Sequence, residues 1–238
     1  GYRGQDEGKG AVRLRVPDDG ETVVRDAVRG ETVFRHRHLD DPVIARADGS
    51  PLYNLAVAID DHDMGITHVV RGDDHLNNTP RQIHILEAIG AQRPVYAHIP
   101  MINGADGKKL SKRHGAVSVL QYREDGILPA ALLNYLARLG WSHGDQELFT
   151  LAEMTAVFDI EDINKSAASF DIEKLLWVNQ HYIQTMPLDD LVAHARPYFV
   201  SAGLDTGDAA QLFAVVDAQR TRAKTLVEMA DKSRPFFG

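Results

Sequence analysis

Residues 107–115, Gly-Lys-Lys-Leu-Ser-Lys-Arg-His-Gly, set three lysines, a serine and an arginine between two glycines. Glycine lets a backbone approach a ligand closely, and lysine ammoniums act as point charges on phosphate oxygens. The run therefore suits a mobile loop closing over a polyphosphate. It is not a Walker A loop, which needs four residues between its first glycine and Gly-Lys-Ser/Thr. The plainer reading is a solvated basic turn. A second stretch, Arg71-Gly-Asp-Asp-His75, follows a β-branched run and carries a guanidinium, two carboxylates and an imidazole. Its plainer reading is a salt bridge at a strand end. A third, Tyr53-Asn54, offers a hydroxyl and an amide that elsewhere would more often be packing and a turn. Two acidic runs, Asp60-Asp-His-Asp63 and Asp73-Asp74-His75, also allow a metal-dependent phosphohydrolase to be read. His36, His38 and Asp40 tempt a metal reading that no further spacing supports.

The elements that must position these groups follow from periodicity and turn chemistry. Ala11–Val16 alternates apolar and cationic residues like a half-buried strand, with Asp18-Asp19-Gly20 as a turn and Thr22-Val-Val24 as its return. A second turn at Arg29-Gly30 precedes Thr32-Val-Phe34. Leu55–Ile59 is a buried element that periodicity cannot assign to strand or helix. Thr67–Arg71 and Val95–Ile99 read as strands flanking a helix opened by Thr79-Pro-Arg-Gln82. There Thr79 is the expected N-cap, Pro80 the first helical residue and Gln82 the partner in a capping box. Ile83, Leu86 and Ile89 are expected on its buried face, with Gly90 as its stop. The result is a βαβ unit, and ligands bind beyond the carboxyl ends of strands in open parallel sheets. That places Arg71–His75 and the lysine-rich loop on one expected edge.

From residue 116 the pattern becomes helical: Pro129–Leu139 with Gly140 as stop, a capping box at Thr150 and Glu153, and a helix capped by Asp171 that ends before Pro187. Two or three more helices are expected from Leu188, punctuated by Pro197, Gly203 and Gly207; Trp141 and Trp177 read as core or inter-helix packing. The fold class is thus α/β, with a small β-rich portion before it and an all-α region after it. Hydrophobic content of 44% and charged content of 25% describe an ordinary globular protein with ample core in 238 residues. No apolar run approaches membrane-spanning length, and a cytoplasmic location is expected. The absence of cysteine excludes disulfides and thiolate metal sites. Net charge of −8 argues against general electrostatic coating of nucleic acid, but leaves room for a local basic face.

Several segments, in order and spacing, resemble the glutamyl-tRNA synthetase family of class I aminoacyl-tRNA synthetases. They are Ser50-Pro-Leu-Tyr-Asn-Leu55, Asp60–Val69, Arg71–Pro80, Asp106–Gly115, Leu132-Leu-Asn-Tyr-Leu136, Leu139-Gly-Trp-Ser142 and Leu175-Leu-Trp-Val-Asn179. Lys109-Leu-Ser-Lys-Arg113 is similar to the KMSKS signature, with Leu110 for Met and Arg113 for the final Ser. The resemblance implies that residues 1–40 are the tail of a connective insertion and 41–115 the second half of a Rossmann-like catalytic domain. It further implies that 116–185 form a helical stem-contact region and 186–238 the start of a helical anticodon-binding domain.

It also implies the roles. Arg71, with Tyr53 and Asn54, would bind L-glutamate. Gly72, Asp73, His75, Lys109, Leu110, Ser111, Lys112 and Arg113 would bind ATP, with Lys112, assisted by Lys109, neutralising the triphosphate as pyrophosphate leaves. Asp73 stands where the family has glutamate, one methylene longer. ATP would bring Mg2+, held mainly by phosphates and water; no structural metal is expected. Partners would be tRNA(Glu), glutamate and ATP, with no membrane and a monomeric state. The family's N-terminal His-X-Gly-His stretch and first nucleotide-fold half are missing, so residues 1–238 alone are expected to activate glutamate poorly. The nearest alternatives are an enzyme that glutamylates a queuosine-modified tRNA, glutaminyl-tRNA synthetase, the phosphohydrolase, and a non-catalytic tRNA-binding fragment.

Overall fold

The β-branched stretches before residue 100 assemble into a four-stranded sheet and a separate two-stranded pair, and the Leu-rich stretches after them into a helical core. The computed structural model describes residues 8, 10–110 and 118–237. They fall into two units, Gly1–Met101 with Asp159–Lys165, and Ile102–Phe158 with Ser166–Gly238.

In the first unit, β1 (Val12–Arg13), β2 (Glu21–Asp26), β3 (Gly30–Arg35) and β4 (Val43–Ala45) precede helix α1 (Tyr53–Asp63). Strand β5 (His68–Gly72), a 3-10 turn over Asp73–Asn78, helix α2 (Thr79–Ala88) and β6 (Val95–Ile99) complete it. The sheet order is β3-β2-β6-β5, with β2/β3 antiparallel and β2/β6 and β5/β6 parallel. The β5–α2–β6 crossover is the expected βαβ unit. Hairpin β2–β3 turns where expected, at Gly30, whose φ of +79° only glycine adopts readily.

Three local expectations are corrected and one open choice is settled. Ala11–Val16 does not pair with the strand at 22–24; only Val12–Arg13 is strand, and it pairs with β4. Residues 14–16 are claimed by the segment before β4: Leu14 N–H donates to the Pro42 carbonyl at 3.0 Å and Val16 N–H to Asp41 at 2.8 Å. The ambiguous run 55–59 is helical, inside α1. Thr79 and Gln82 form no capping box: Asn78 is the N-cap residue, in αR geometry, and no side chain caps the helix. On α2, Ile83 and Leu86 are buried but Ile89 is 49% exposed, and His84 and Ile85 are buried in addition.

Helix α2 is packed on both sides. One side meets the sheet through Ile83 against Val24 and Tyr96, and the other meets α1 through Ile85 and Leu86 against Ala58. Gly90, at φ +70°, ends it as expected, with Gly90 N–H donating to the Glu87 carbonyl and Ala91 N–H to that of Leu86.

In the second unit, β7 (Ile102–Asn103) pairs in parallel with β8 (Ala168–Ser169). Helices α3 (Val119–Glu124), α4 (Pro129–Gly140), α5 (Leu151–Val157), α6 (Ile172–Thr185), α7 (Leu188–Ser201), α8 (Ala209–Gln219) and α9 (Leu226–Ser233) follow in chain order. A single apolar cluster links α4, α6, α7, α8 and α9, with Leu128, Leu175, Ile183, Leu191, Phe199, Leu212 and Met229 fully enclosed. The expected caps at Thr150/Glu153 and Asp171 are present. Pro197 is not punctuation: it lies inside α7, where its ring withholds one helical donor. Trp141 is core, but Trp177 is 46% exposed, its ring faced by the Lys174 ammonium at 4.7 Å. Among the described residues no helix is long and apolar enough to cross a membrane.

Candidate active site around Arg71

Arg71 and His98 are register partners on the parallel strands β5 and β6, so their side chains leave the same face of the sheet. Two residues earlier, Val69 pairs with Tyr96 on that face. Helix α2 covers it, and its first residue, Thr79, arrives beside both side chains. The outcome is a closed triangle. Arg71 Nε–H donates to His98 Nε2 at 3.1 Å, Arg71 Nη2 donates to Thr79 Oγ1 at 2.9 Å, and Thr79 Oγ1 lies 3.1 Å from His98 Nε2. The guanidinium also sits 5.8 Å from the Tyr96 ring centre.

Behind the triangle lies Asp26, the last residue of β2. One oxygen accepts from the backbone N–H groups of Val28, at 3.0 Å, and Arg29, at 2.9 Å. The other accepts from His98 Nδ1 at 2.5 Å and, at 3.0 Å, from the His98 backbone N–H. Both side chains of this pair are fully enclosed. Burial pushes Asp26 upward, but the Arg29 N–H, the His98 ring and the remaining N–H donors together hold it below the ordinary carboxylate range. Burial pushes His98 below the usual imidazole range, against the pull of Asp26. Sequence reading missed both residues. The available signal was a histidine inside the buried run 95–99, on the same face as Tyr96.

Arg71 is half-buried and, among the described residues, pairs with no carboxylate, so the salt-bridge reading does not apply to Arg71 itself. Its Nε and one Nη2 hydrogen are engaged. The Nη1 pair and the other Nη2 hydrogen form an outer edge that no described residue takes up, a two-pronged donor of the shape a carboxylate accepts.

The other expected residues gather nearby in the same unit. Asn54, on the first turn of α1, accepts through Oδ1 from Gln82 Nε2 at 3.1 Å, so Gln82 orients Asn54 instead of capping α2. Tyr53 is exposed, with its hydroxyl 3.3 Å from His75 Nδ1. That same ring nitrogen lies 3.2 Å from Asn78 Nδ2. Asp73 is ion-paired to Arg29 Nη1 at 2.9 Å. Gly72 joins Arg71 to this turn, and a side chain there would meet Asp74 Oδ1 at 2.7 Å and Met101 Sδ at 3.2 Å.

The lysine-rich stretch begins in the second unit as a tight hairpin after β7. Gly107, at φ +73°, donates from N–H to the Gly104 carbonyl, and Asp106 accepts from Lys108 N–H at 3.0 Å. Lys109 is the bridge partner of Asn103, and Leu110 N–H donates to the Ile102 carbonyl at 2.9 Å. This presents Lys109 exposed and Leu110 half-buried. Ser111, Lys112 and Arg113 lie outside the described residues. His36 is committed internally, to Thr22 Oγ1 and the Asp19 carbonyl, each at 2.9 Å. Among the described residues no group of three or more His, Asp or Glu side chains is arranged to hold a metal ion.

Known proteins resemble this chain over most of its length. Residues 2–177 match the family described as tRNA synthetases class I (E and Q), catalytic domain. "Glutamate--tRNA ligase 1" of Alkalilimnicola ehrlichii is 59% identical over 97% of this chain and 49% of its own length. The protein of the same name from Nitrosococcus oceani is 58% identical over 95% of this chain and 48% of its own. The chain thus spans about half the length of the curated relatives it matches. A glutamate tRNA ligase from Elizabethkingia meningosepticum, crystallised with its amino acid, is similar in fold with a TM-score of 0.82 at 31% identity, covering 96% of this chain and 49% of that one. The glutamate-tRNA synthetase of Elizabethkingia anophelis gives 0.81 at 31% identity, over 96% and 50%. The order of motifs, the βαβ unit and these matches agree, and the chain belongs to the class I tRNA synthetase (E and Q) catalytic-domain family.

Proposed function

We propose that the protein carrying this chain is a glutamate–tRNA ligase, located in the cytoplasm. It forms glutamyl-adenylate from ATP and L-glutamate, then passes the acyl group to the terminal adenosine of tRNA(Glu). The observation that carries the reading is Arg71: a guanidinium fixed on its inner edge by His98 and Thr79, with an outer edge suited to the side-chain carboxylate of glutamate. Tyr53 and Asn54, the latter oriented by Gln82, stand at the first turn of α1 in the same unit and complete the amino-acid pocket.

The substrate's own α-carboxylate is the nucleophile. It attacks the α-phosphorus of ATP, a new O–P bond forms, and the bond to the pyrophosphate oxygen breaks. No protein nucleophile is required, so catalysis consists of positioning and charge stabilisation. Lys112, with Lys109, neutralises the departing pyrophosphate, and Mg2+ travels with ATP on its phosphates and water. Gly72, Asp73, His75, Leu110, Ser111 and Arg113 are assigned to ATP binding by the resemblance of their motifs. Asp73, one methylene shorter than the family's glutamate and ion-paired to Arg29, acts by ordering its turn. Residues 1–40, 41–115, 116–185 and 186–238 are assigned to insertion tail, catalytic half, stem-contact region and start of the anticodon-binding region. The protein works as a monomer.

The test is transfer of labelled glutamate to tRNA by the complete gene product, alongside Lys112→Ala. Charging should fall by about 100-fold or more in the variant, the scale of losing a group that stabilises transition-state charge. Full charging without Lys112, or charging with an amino acid other than glutamate, would overturn the assignment.

A further inference from the structure

Arg71 can be held as observed in only one protonation state of its neighbour. Its Nε–H is a donor under all ordinary conditions, so His98 Nε2 must present a lone pair. The proton of the neutral ring must then sit on Nδ1, and there it meets Asp26 at 2.5 Å. The Thr79 hydroxyl, which receives the Arg71 Nη2 hydrogen, lies 3.1 Å from the same Nε2 and can only share the one lone pair that Arg71 uses. No donor faces another donor across the Arg71–His98 contact in this arrangement. In the other tautomer, or in the imidazolium, Nε2–H would face Arg71 Nε–H, donor against donor, in an enclosed site.

We propose that Asp26 and His98 are positioning residues for Arg71: Asp26 fixes the His98 tautomer, and His98 fixes the guanidinium with its outer edge toward the amino acid. The inference rests on the reading that Arg71 binds the substrate's side-chain carboxylate. Charge alone does not require this pair. Asp26 holds a backbone turn as well, but the 2.5 Å contact to Nδ1 is separate from the bonds to Val28 and Arg29, which go to its other oxygen.

That separation makes Asp26→Asn informative. The amide oxygen keeps the three-residue turn and, at 3.1 Å, an acceptor for the His98 backbone N–H, while the amide NH2 takes the place of the oxygen that faces His98 Nδ1. An NH2 there demands an acceptor at Nδ1, which drives the proton to Nε2 and turns it against Arg71. Adding His98→Gln supplies an amide oxygen near the position of Nε2 and returns an acceptor to Arg71.

The experiment measures KM for glutamate, KM for ATP and kcat in pyrophosphate exchange by the complete protein. Asp26→Asn should raise the glutamate KM by about tenfold or more, the size of a lost charge-assisted hydrogen bond, with a much smaller change in the ATP KM. The double variant should recover part of that loss. From the other side of the contact, His98→Leu should raise the glutamate KM more than His98→Gln does. This second comparison decides the matter if Asp26→Asn does not fold. Arg71→Ala is the control for the underlying reading. If Arg71→Ala raises the glutamate KM while Asp26→Asn leaves it unchanged, or while His98→Leu and His98→Gln are alike, the positioning role is overturned and the reading of Arg71 stands. If Arg71→Ala leaves the glutamate KM unchanged, the reading itself falls, and the inference with it.

Discussion

At the scale of single residues, the first unit stores two imidazoles in neutral form. His98 faces Asp26, Arg71, Thr79 and, at longer range, Arg29. His84 faces the Thr22 hydroxyl at 3.0 Å, Glu87, His36 and Arg93. Burial is the leading cause of a lowered pKa for both, from the ordinary 6.5. The native state therefore binds fewer protons than the unfolded chain as pH drops through 6.5, and stability falls with it. The urea midpoint should be lower at pH 5.5 than at pH 7.5, and His84→Gln should flatten the drop; a midpoint that rises on acidification would contradict this. Arg71 could be picked out of the sequence because it opens a run, Arg71–Pro80, that resembles the family; its residue type alone left a salt bridge as the default. Its support could not be picked out, because Asp26 lies far away in the chain and meets His98 only through the β2–β6 pairing.

At the scale of elements, one sequence pattern had two outcomes. Thr150-x-x-Glu153 and Thr79-x-x-Gln82 both spell a capping box. Thr150 has the extended backbone that a capping residue needs, at φ −68° and ψ 160°, and both reciprocal bonds form. Before Thr79 the chain already turns as a 3-10 segment, Asn78 is in αR geometry, and the freed side chains orient Arg71 and Asn54 instead. Local propensity cannot see that competition.

In the helical unit the element joints are equally specific. Gly126, at φ +81°, has the backbone nitrogens of Val227 and Leu226 at 2.5 and 2.8 Å from where a Cβ would stand. Asn179, fully buried, accepts from Leu128 N–H at 2.8 Å and donates to the Lys224 carbonyl at 2.7 Å, tying α6 to the same two loops. Gly126→Ala should cost about 2 kcal/mol or more, from the left-handed backbone plus backbone overlap. Gly203→Ala, at φ +77° with open space around it, should cost only about 1 kcal/mol. Equal losses in denaturant titration would remove the overlap argument.

At the scale of the molecule, the βαβ unit and the helical run were legible because each rests on local periodicity and caps. The hairpin at residues 21–35 was legible as a hairpin, but its place in the sheet was not. A parallel pair such as Asp26 with Tyr96 is a long-range contact that no local pattern announces. The first strand was misread for a related reason: its alternation was real, but Asp41 and Pro42 claimed the backbone that should have continued it. A chain of net charge −8 still carries three lysines and an arginine within residues 108–113.

Glutamate activation by the complete protein, with Arg71 holding the side-chain carboxylate, is the central proposal. Pyrophosphate exchange into ATP by the complete protein, with tRNA supplied and withheld, tests it most directly when glutamate is compared with glutamine and aspartate. The account predicts exchange that requires glutamate, is far weaker with the other two, and collapses in Arg71→Ala. Exchange indifferent to the amino acid, or undiminished in Arg71→Ala, would contradict it.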